Sequence, residues 1–356
     1  MRVLMVTPAV DEQDPVLGFI PTWINSLAKR VDKLNVVTLG YNEETRLPEN
    51  VTVYSLGKKS GKLSKLLYFN SIMLRIIPRV DIIFCHMFPD FILISAPYAK
   101  LFRKLIITWY AHGHVSQKVK ITHFLSDKMV TSSKEGLRIK SNKIVVIGQG
   151  IDTNKFKPAI KQKRKGDKKT IVSVGRISPI KDYDTFIRAA NILVNEKGMK
   201  NLEFLIVGGV PMASQEVYYE KLKKMVEELG LKDHLKFVGP VPHSEVVSYY
   251  QDCDVFVSTS QTGSIDKTTL EAMACQKPAL ACNEAFENVF GDYSSILMFR
   301  KEDPADLARK VTHILQMEEN RRNELCCNMS EIVKREHSVE NFTDKLVRIF
   351  NNVVRR

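Results

Sequence analysis

The sequence has few of the features that mark disulfide-rich, metal-binding or membrane-spanning proteins. It contains no CxxC pair and no zinc-site spacing, and its six cysteines are spread over positions 85, 253, 275, 282, 326 and 327. Its longest apolar run, residues 91–99, is far too short to span a membrane. These absences predict buried, reduced thiols in a reducing compartment and no metal site.

The glycine pattern and the N-terminal sequence also lack two common signals. The GxGxxG fingerprint of an ordinary dinucleotide site is absent, which disfavours a nicotinamide-dependent oxidoreductase. The first residues, MRVLMVT, have the pattern of a strand and contain neither the apolar core nor the cleavage site of a signal peptide. We therefore expect a cytoplasmic protein.

The composition is that of a globular protein with an excess of positive charge. The chain has 356 residues, of which 44% are hydrophobic, enough for two cores of ordinary domain size. Its net charge of +13 favours anionic partners such as nucleic acid, anionic lipid or a phosphorylated substrate. We find no nucleic-acid-binding motif and no interleaving of basic and aromatic residues, so nucleic acid is not an expected partner.

One segment, residues 57–79, contains six basic residues and no acidic one. Apolar residues recur there at roughly helical spacing, at positions 63, 66, 67, 69, 72, 73, 76 and 77. A basic amphipathic helix of this kind binds anionic membranes, which predicts a protein that is peripheral on the inner face of the cell membrane through residues 58–79. A helix that packs on a sheet and exposes a basic face to solvent has the same pattern, so both interpretations stay open.

Short β-branched runs alternate with longer helical patterns along the chain. This order predicts parallel strands joined by crossover helices, and therefore an α/β fold with doubly wound, Rossmann-like sheets. The predicted strands are 3–7, 35–39, 51–55, 81–85, 105–109, 128–131, 144–147, 170–174, 203–207, 235–238, 255–258 and 279–281. The predicted helices are 19–31, 62–77, 91–102, 134–140, 182–196, 214–229, 244–250, 268–275 and most of 304–356.

A basic segment interrupts this alternation and predicts a domain boundary. Residues 155–169 contain eight lysines or arginines, one aspartate and almost no apolar periodicity. We therefore expect a first Rossmann-like domain over 1–154, a basic connector over 155–169, a second Rossmann-like domain over 170–337 and a terminal helix over 338–356.

The segment 174–181, VGRISPIK, has the composition of an anion site. A predicted strand ends in Gly175, Arg176 follows at once, and Lys181 precedes a predicted helix. Arginine offers a planar fork of donors that suits phosphate, lysine adds a point charge, and the amides of a helix N-terminus attract anions. Because cations beside a helix N-terminus are unfavourable unless an anion joins them, we predict phosphate binding here.

A second loop that leads into a helix lies at residues 262–274, TGSIDKTTLEAMA. It is rich in small and hydroxyl-bearing residues and carries Glu271 in the first turns of the predicted helix. Two cations, a hydroxyl-rich loop and one carboxylate suit a ligand with a diphosphate and a ribose. The two loops together predict a site for a nucleotide-sugar.

The two loops resemble the donor-site motifs of the retaining family-four glycosyltransferases (glycosyl transferases group 1). The resemblance is carried by Gly175, Arg176 and Lys181, and by residues 270–278, LEAMACQKP. It implies the GT-B architecture, in which two Rossmann-like domains face a central cleft. It also implies that Arg176 and Lys181 hold the donor diphosphate, that Glu271 binds the ribose hydroxyls, and that neither a metal nor another cofactor is required.

The resemblance also assigns residues outside the two loops. His112, after a predicted strand, matches the active-site histidine near the donor sugar and the acceptor, and His114 and His86 are its competitors. Gly18, before the first helix, lets backbone come close to a phosphate or to the acceptor. Backbone near Val241 is implied to contact the base, and the terminal helix is implied to return to the first domain.

Gly263 departs from the family pattern. The family has a glutamate at this position, eight residues before Glu271, and that side chain contacts the donor sugar. The remaining polar residues of the loop are candidates for the sugar contact (Thr262, Ser264 and Asp266) or for a phosphate contact (Lys267 and the Thr268 amide).

The sequence therefore predicts a retaining, metal-independent glycosyltransferase of the hexosyltransferase type. Its donor is a nucleotide-diphosphate sugar bound by the second domain, and its acceptor, bound by the first domain, is a lipid-linked saccharide or glycan in cell-envelope or glycolipid synthesis. Two other classes stay open. One is a protein that binds a nucleotide-sugar without turnover, which Gly263 allows, and the other is a GT-B nucleotide-sugar epimerase, for which we identify no acid–base pair.

Overall fold

The computed structural model of the chain describes residues 1–57, 61–159, 168–261 and 263–354. The chain forms two compact units. Unit 1 comprises Met1–Gly150 together with Val339–Arg356, and unit 2 comprises Ile151–Ser338. Among the described residues, no helix is both long and apolar enough to cross a membrane.

Unit 1 is built on a parallel β-sheet. Its strands are β1 (Arg2–Val10), β2 (Lys33–Tyr41), β3 (Val51–Ser55), β4 (Ile82–His86), β5 (Leu105–Trp109), β6 (Lys128–Thr131) and β7 (Ile144–Val146). Its helices are α1 (Ile20–Ala28), α2 (Lys62–Ile76), α3 (Pro89–Leu101), α4 (Gln117–Leu125) and, from the end of the chain, α13 (Val339–Val354). The strand order β3-β2-β1-β4-β5-β6-β7 changes direction between β1 and β4, which is the doubly wound arrangement.

The apolar residues of this sheet form two large clusters, one on each face, and Met129 of β6 belongs to a smaller third cluster. Along β1, Val3 and Met5 belong to one cluster and Leu4 and Val6 to the other, because successive side chains of a strand point to opposite faces. Helices α1 and α13 contribute to the first cluster, and α2 and α3 contribute to the second. The sheet is therefore covered on both faces, as a parallel sheet requires.

Helix α13 is held against α1 by aromatic packing and hydrogen bonds. The ring centroids of Trp23 and Phe342 lie 4.1 Å apart, and Trp23 Nε1 donates to the Gly150 carbonyl oxygen at 2.8 Å. A Cβ at Gly150 would lie 2.6 Å from that indole nitrogen. Ser26 and Thr343 share a buried hydroxyl hydrogen bond of 2.8 Å. The last helix of the chain is thus part of the core of unit 1.

Unit 2 is built on a second parallel sheet. Its strands are β8 (Lys169–Val174), β9 (Leu202–Val207), β10 (Leu235–Gly239), β11 (Val255–Ser258) and β12 (Ala279–Ala281), in the order β10-β9-β8-β11-β12. Its helices are α5 (Tyr183–Asn191), α6 (Glu216–Glu228), α7 (Val246–Asp252), α8 (Lys267–Ala274), α9 (Glu287–Phe290), α10 (Ser294–Leu297), α11 (Pro304–Gln316) and α12 (Glu319–Ile332). The strand order changes direction between β8 and β11, so this sheet is also doubly wound.

The division between the units falls before the predicted boundary at residue 154. Ile151 and Phe156 are buried in the core of unit 2, so the chain has already entered this unit where the basic connector 155–169 was predicted. Residues 160–167 of that connector lie outside the described residues. Strand β8 then begins at Lys169, within the predicted connector.

One predicted helix, 134–140, is wrong. The segment forms turns, in which the Gly136 amide donates to the Ser133 carbonyl oxygen at 3.3 Å and to the Ser133 hydroxyl at 3.0 Å. Serine side chains that bond to nearby backbone compete with helix formation, and glycine weakens a helix interior. A helix that we did not predict, α4, forms instead at Gln117–Leu125, where the Ser116 hydroxyl accepts from the Val119 amide as an N-cap.

The basic segment predicted over 58–79 is described from residue 61 onwards, and residues 58–60 lie outside the described part. Helix α2 packs on the sheet through Phe69, Ile72 and Met73, which are buried. Leu63 and Leu67, predicted to lie on the same apolar stripe, are 70% and 61% exposed. The apolar residues of α2 are therefore divided between a buried face and an exposed one.

Candidate functional site

The candidate site of unit 2 lies at the carboxyl edge of its sheet, where parallel strands deliver the loops that follow them. Backbone hydrogen bonds join three of these loops. The Gly175 amide donates to the Val207 carbonyl oxygen at 2.9 Å, the Ile177 amide to Gly209 at 2.9 Å, and the Gly208 amide to Gly239 at 2.9 Å. The loops after β8, β9 and β10 therefore form one continuous backbone surface.

Two glycines make this close approach possible. Gly208 has a φ of +149°, and a Cβ there would lie 2.0 Å from the Gly175 carbonyl oxygen. A Cβ on Gly175 would lie 3.2 Å from Lys181 Cε and 3.2 Å from the Tyr183 hydroxyl. The Lys181 side chain therefore passes directly over Gly175, next to Arg176.

The two predicted phosphate ligands have different surroundings. The Arg176 side chain is exposed and, within the described residues, has neither a hydrogen-bond nor an ion-pair partner. Lys181 instead has its Nζ 3.1 Å from Asp266 Oδ1, and these two side chains are only 16% and 13% exposed. The Ser258 hydroxyl donates to the other Asp266 oxygen at 3.0 Å. Arg176 is open to an anion, whereas the charge of Lys181 is already compensated.

Helix α8 begins beside this ion pair. Asp266 occupies the N-cap position, but its side chain makes no capping hydrogen bond because it faces Lys181 and Ser258. The buried hydroxyl oxygens of Thr268 and Thr269 have no hydrogen-bond partner in the part of the chain that the structure describes. A helix N-terminus without a side-chain cap, flanked by hydroxyl groups, favours an anionic ligand.

Lys267, the first residue of α8, is a third cation at this place. Burial lowers the pKa of its ammonium group to about 8, although the carboxylates of Glu271 and Asp266 oppose this shift. A fraction of Lys267 is therefore neutral in mildly alkaline solution, and an arriving phosphate would favour its charged form.

Glu271 lies in the second turn of α8, and its side chain is 5% exposed. Tyr250 donates its hydroxyl to Oε2 at 2.7 Å, and His243 Nε2 lies 3.2 Å from Oε1. Burial raises the pKa of this carboxyl, but the hydrogen bonds from His243 and Tyr250 and the charge of Lys267 outweigh burial and hold the pKa below its ordinary value. Glu271 is thus an ionised carboxylate with one protein donor on each oxygen.

Sequence reasoning missed the residues that hold Glu271. His243 and Tyr250 are separated from it by 28 and 21 residues, and neither belongs to a motif that we recognised. Lys155, from the predicted basic connector, donates to the His243 carbonyl oxygen at 2.8 Å. Phe156 packs against the rings of His243 and Tyr250, with centroid distances of 5.5 and 5.8 Å.

The remaining predicted residues of unit 2 have varied positions. Gly263 is buried, and the Ser264 carbonyl oxygen accepts from Asn283 Nδ2 at 2.8 Å. Val241 follows β10 and is partly buried against the core. Thr262 lies outside the described residues. No group of three or more histidine, cysteine or acidic residues that could hold a metal ion occurs in the described ranges.

The predicted residues of unit 1 lie on loops after its strands. Gly18 is buried, and its amide donates to the Asp14 carbonyl oxygen at 3.0 Å. His112 is exposed, and its Nδ1 accepts from the His114 amide at 3.3 Å. His86, at the end of β4, is fully buried, which removes it as a competitor of His112 for contact with a substrate.

A family model described as glycosyl transferases group 1 matches residues 154–325. The matched segment contains the loops of Arg176 and Lys181, and α8 with Glu271. The match to these residues confirms the resemblance to the glycosyl transferases group 1 family that the two motifs predicted.

Curated relatives match the chain over about half of its length or less. A D-inositol 3-phosphate glycosyltransferase from Acidothermus cellulolyticus is 28% identical over 205 residues, which are 53% of this chain and 46% of that protein. A mannosylfructose-phosphate synthase from Agrobacterium fabrum is 31% identical over 41% of this chain and 34% of its own. The matched segments span 46% of the first relative's length and 34% of the second's.

Solved structures match the whole chain in fold. Crystal structures of Anabaena Alr3699/HepE, one with UDP and glucose and one with UDP-glucose, are 16% identical with a TM-score of 0.77 and cover 99% of this chain and 99–100% of their own. A glycosyltransferase from Rickettsia africae is 16% identical with a TM-score of 0.80, over 99% of this chain and 98% of its own. Together with the two parallel sheets, this likeness confirms the predicted fold class, GT-B with two doubly wound domains.

Proposed function

We propose that the chain is a retaining glycosyltransferase that moves a sugar from a nucleotide-diphosphate sugar to an acceptor hydroxyl. The observation that carries the proposal is the meeting of Arg176, Lys181 and the N-terminus of α8 at one edge of the unit 2 sheet, because each of them attracts phosphate. Glu271 supplies a carboxylate for the ribose. The match of residues 154–325 to the glycosyl transferases group 1 model, and the binding of UDP and UDP-glucose by a protein of similar fold, support this donor.

In the proposed reaction the acceptor hydroxyl attacks the anomeric carbon on the face from which the diphosphate leaves. The bond between that carbon and the β-phosphate oxygen breaks, and the acceptor proton passes to an oxygen of the departing diphosphate. Negative charge grows on the diphosphate as the bond breaks, and Arg176 and Lys181 stabilise it. We assign to these cations the role that a metal ion has in other sugar transferases, and to His112 of unit 1 a contact with the donor sugar.

A thermal-shift panel of UDP, GDP, ADP and their common sugars, in buffer with EDTA, tests the donor site. We expect one base to raise the apparent Tm, because a ligand at 100 times its Kd stabilises the folded state by about 2.7 kcal/mol. No shift with any nucleotide would overturn the proposal. If the protein binds a nucleotide-sugar but releases no diphosphate when acceptor lipids are present, the result would favour a non-catalytic binding protein.

Helix α2 supports a membrane-bound acceptor. Several of its large apolar side chains are about half exposed or more: Leu63, Leu66, Leu67, Tyr68 and Leu74. Arg75 and Arg79 are exposed beside them, and residues 57–79 contain no acid. Exposed leucines with basic neighbours fit a surface of anionic lipid, in which apolar side chains insert and cations meet head groups. We propose that the acceptor is a lipid-linked saccharide or glycan reached at this surface during cell-envelope or glycolipid synthesis.

Flotation with vesicles tests this surface. We expect the protein to float with vesicles that contain phosphatidylglycerol and to stay behind with pure phosphatidylcholine. The double variant Leu63→Glu/Leu67→Glu is expected to lose flotation, because it places charges where the leucines insert. Val217→Glu, which changes a 79% exposed valine of unit 2, is the matched control. Equal flotation of all three proteins, or none for the wild type, would overturn the membrane proposal.

A further inference from the structure

Glu271 is the end of a hydrogen-bonded chain that begins at Lys155. Lys155 Nζ lies 3.3 Å from His243 Nδ1 and 2.8 Å from the His243 carbonyl oxygen. The other ring nitrogen, Nε2, lies 3.2 Å from Glu271 Oε1. The His243 side chain is 12% exposed and the Glu271 side chain 5%, so this chain is largely shielded from water.

The chemistry of its two ends indicates how the His243 ring is oriented. An ionised carboxylate has acceptors and no donor, so the contact with Glu271 is a hydrogen bond in which Nε2 donates. An ammonium group has donors and no acceptor, so Nδ1 is the ring nitrogen suited to accept from Lys155. Both contacts hold the ring in the same orientation. Lys155 therefore orients His243 as a donor toward Glu271.

This arrangement leaves about half of the hydrogen-bond acceptor positions of the Glu271 carboxylate unused. A carboxylate offers about four acceptor positions, two on each oxygen. His243 uses one position on Oε1 and Tyr250 uses one on Oε2. One position on each oxygen remains, and two neighbouring acceptors match the two hydroxyls of a ribose 2′,3′-diol.

We propose that His243 is a positioning residue that, oriented by Lys155, holds the Glu271 carboxylate for bidentate recognition of the ribose diol. This inference rests on the proposed function, because it assumes that a nucleotide binds beside α8. Its specific consequence is that His243 controls discrimination between ribose and deoxyribose nucleotides, and not the affinity for the diphosphate. A purely structural role would weaken both.

The test compares the Kd values of UDP, 2′,3′-dideoxy-UDP and inorganic pyrophosphate by calorimetry, with the matching nucleotides if another base is selected. For the wild type we expect UDP to bind at least about tenfold more tightly than its dideoxy analogue, because a hydrogen bond to a charged group contributes about 1.5–3 kcal/mol. In His243→Leu we expect this ratio to fall to about two. In His243→Gln, whose amide nitrogen can replace Nε2, we expect most of the ratio to return. Pyrophosphate affinity should be unchanged in both variants.

A second pair of variants keeps the inference testable if His243→Leu does not fold. Lys155→Met removes the donor to Nδ1 and is expected to lower the ribose preference, whereas Lys157→Met, which changes an exposed neighbouring lysine, is expected to keep it. A full ribose preference in His243→Leu or in Lys155→Met would overturn the positioning role. A wild type that binds UDP and its dideoxy analogue equally would overturn the role of Glu271 in ribose recognition. A wild type that binds no nucleoside diphosphate would overturn the proposed function itself.

Discussion

Lys181 and Asp266 form an ion pair within the proposed donor site, with Nζ 3.1 Å from Oδ1. The two residues are 85 positions apart in sequence and meet because the loops after β8 and β11 lie at the same edge of the sheet. When no nucleotide-sugar is bound, the Asp266 carboxylate compensates the charge of Lys181. A diphosphate that contacts Lys181 must therefore compete with Asp266, which lowers the affinity of the site.

Asp266→Asn is expected to tighten the binding of a nucleoside diphosphate. The amide removes the competing negative charge, and we expect the affinity to rise by roughly tenfold, or about 1.4 kcal/mol. The ligand-free variant should also lose about 1 kcal/mol of stability, because a partly buried Lys181 charge is left without its partner. Calorimetric titration and thermal unfolding measure the two effects. Glu203→Gln, which breaks a pair with Lys236 at the amino end of β9, is the control and should leave the affinity unchanged.

Gly208→Ala is expected to destabilise unit 2 by roughly 2–3 kcal/mol, the size of a severe steric overlap. The new Cβ would lie 2.0 Å from the backbone oxygen of Gly175, and no side-chain rotation can relieve that contact. Gly230→Ala is the matched control, since Gly230 also has a positive φ, of +64°, but nothing within 4 Å of its Cβ position. Urea unfolding should show a larger loss for Gly208→Ala. Equal losses would mean that the loops after β8 and β9 can separate at little cost.

The lowered pKa of Lys267 predicts that donor binding depends on pH. As the pH rises through about 8, the free protein loses this charge, and we expect the affinity for a nucleoside diphosphate to fall by roughly tenfold by pH 9.5. The phosphates are already ionised in this range, since their last pKa is about 6. Lys267→Met should bind more weakly at pH 7 and show a flatter profile. A wild-type profile that is itself flat from pH 7 to 9.5 would exclude Lys267 as a phosphate ligand.

The lowered pKa of the Lys267 ammonium group also makes the free energy of unfolding depend on pH. Between pH 8 and 10.5 the unfolded chain holds a proton on Lys267 that the folded chain has released. The unfolded state then binds more protons, so this group makes stability rise with pH across that window. Subtracting the free energy of unfolding of Lys267→Met from that of the wild type at each pH isolates this contribution. A difference that falls as the pH rises would contradict the lowered pKa of Lys267.

The sequence was sufficient for most of the fold because buried parallel strands are short, β-branched and well separated. The predicted strands 51–55 and 105–109 have the same bounds as β3 and β5. Prediction failed at 134–140, because the Ser133 side chain accepts from the Gly136 amide and makes a turn where a helix was expected. For α2 the apolar spacing left open whether the leucines face a membrane or the sheet, because periodicity alone does not say which part of a helix the sheet covers. Leu63 and Leu67 are exposed, whereas Phe69 and Ile72 are buried.

The candidate site was only partly predictable for a related reason. Arg176, Lys181 and Glu271 stand in local motifs at helix starts, where the sequence itself indicates their chemistry. His243 and Tyr250 reach Glu271 only through the packing of the loop after β10 and of α7 against α8, and no local pattern signals those contacts. Arg176 can accept an anion, whereas Lys181 is already paired with the Asp266 carboxylate. This difference likewise depends on residues that are distant in sequence.

Calorimetric titration of the preferred nucleoside diphosphate into wild type and Arg176→Ala tests whether Arg176 holds the donor diphosphate. Arg176 is exposed and has no partner among the described residues, so its loss should leave the apparent Tm almost unchanged. Arg188→Ala, at an exposed arginine of α5, is the control. We expect Arg176→Ala to weaken binding by at least about tenfold, the value of one charge-assisted contact, and Arg188→Ala to leave it unchanged. Equal affinities for all three proteins would contradict a donor diphosphate held at Arg176.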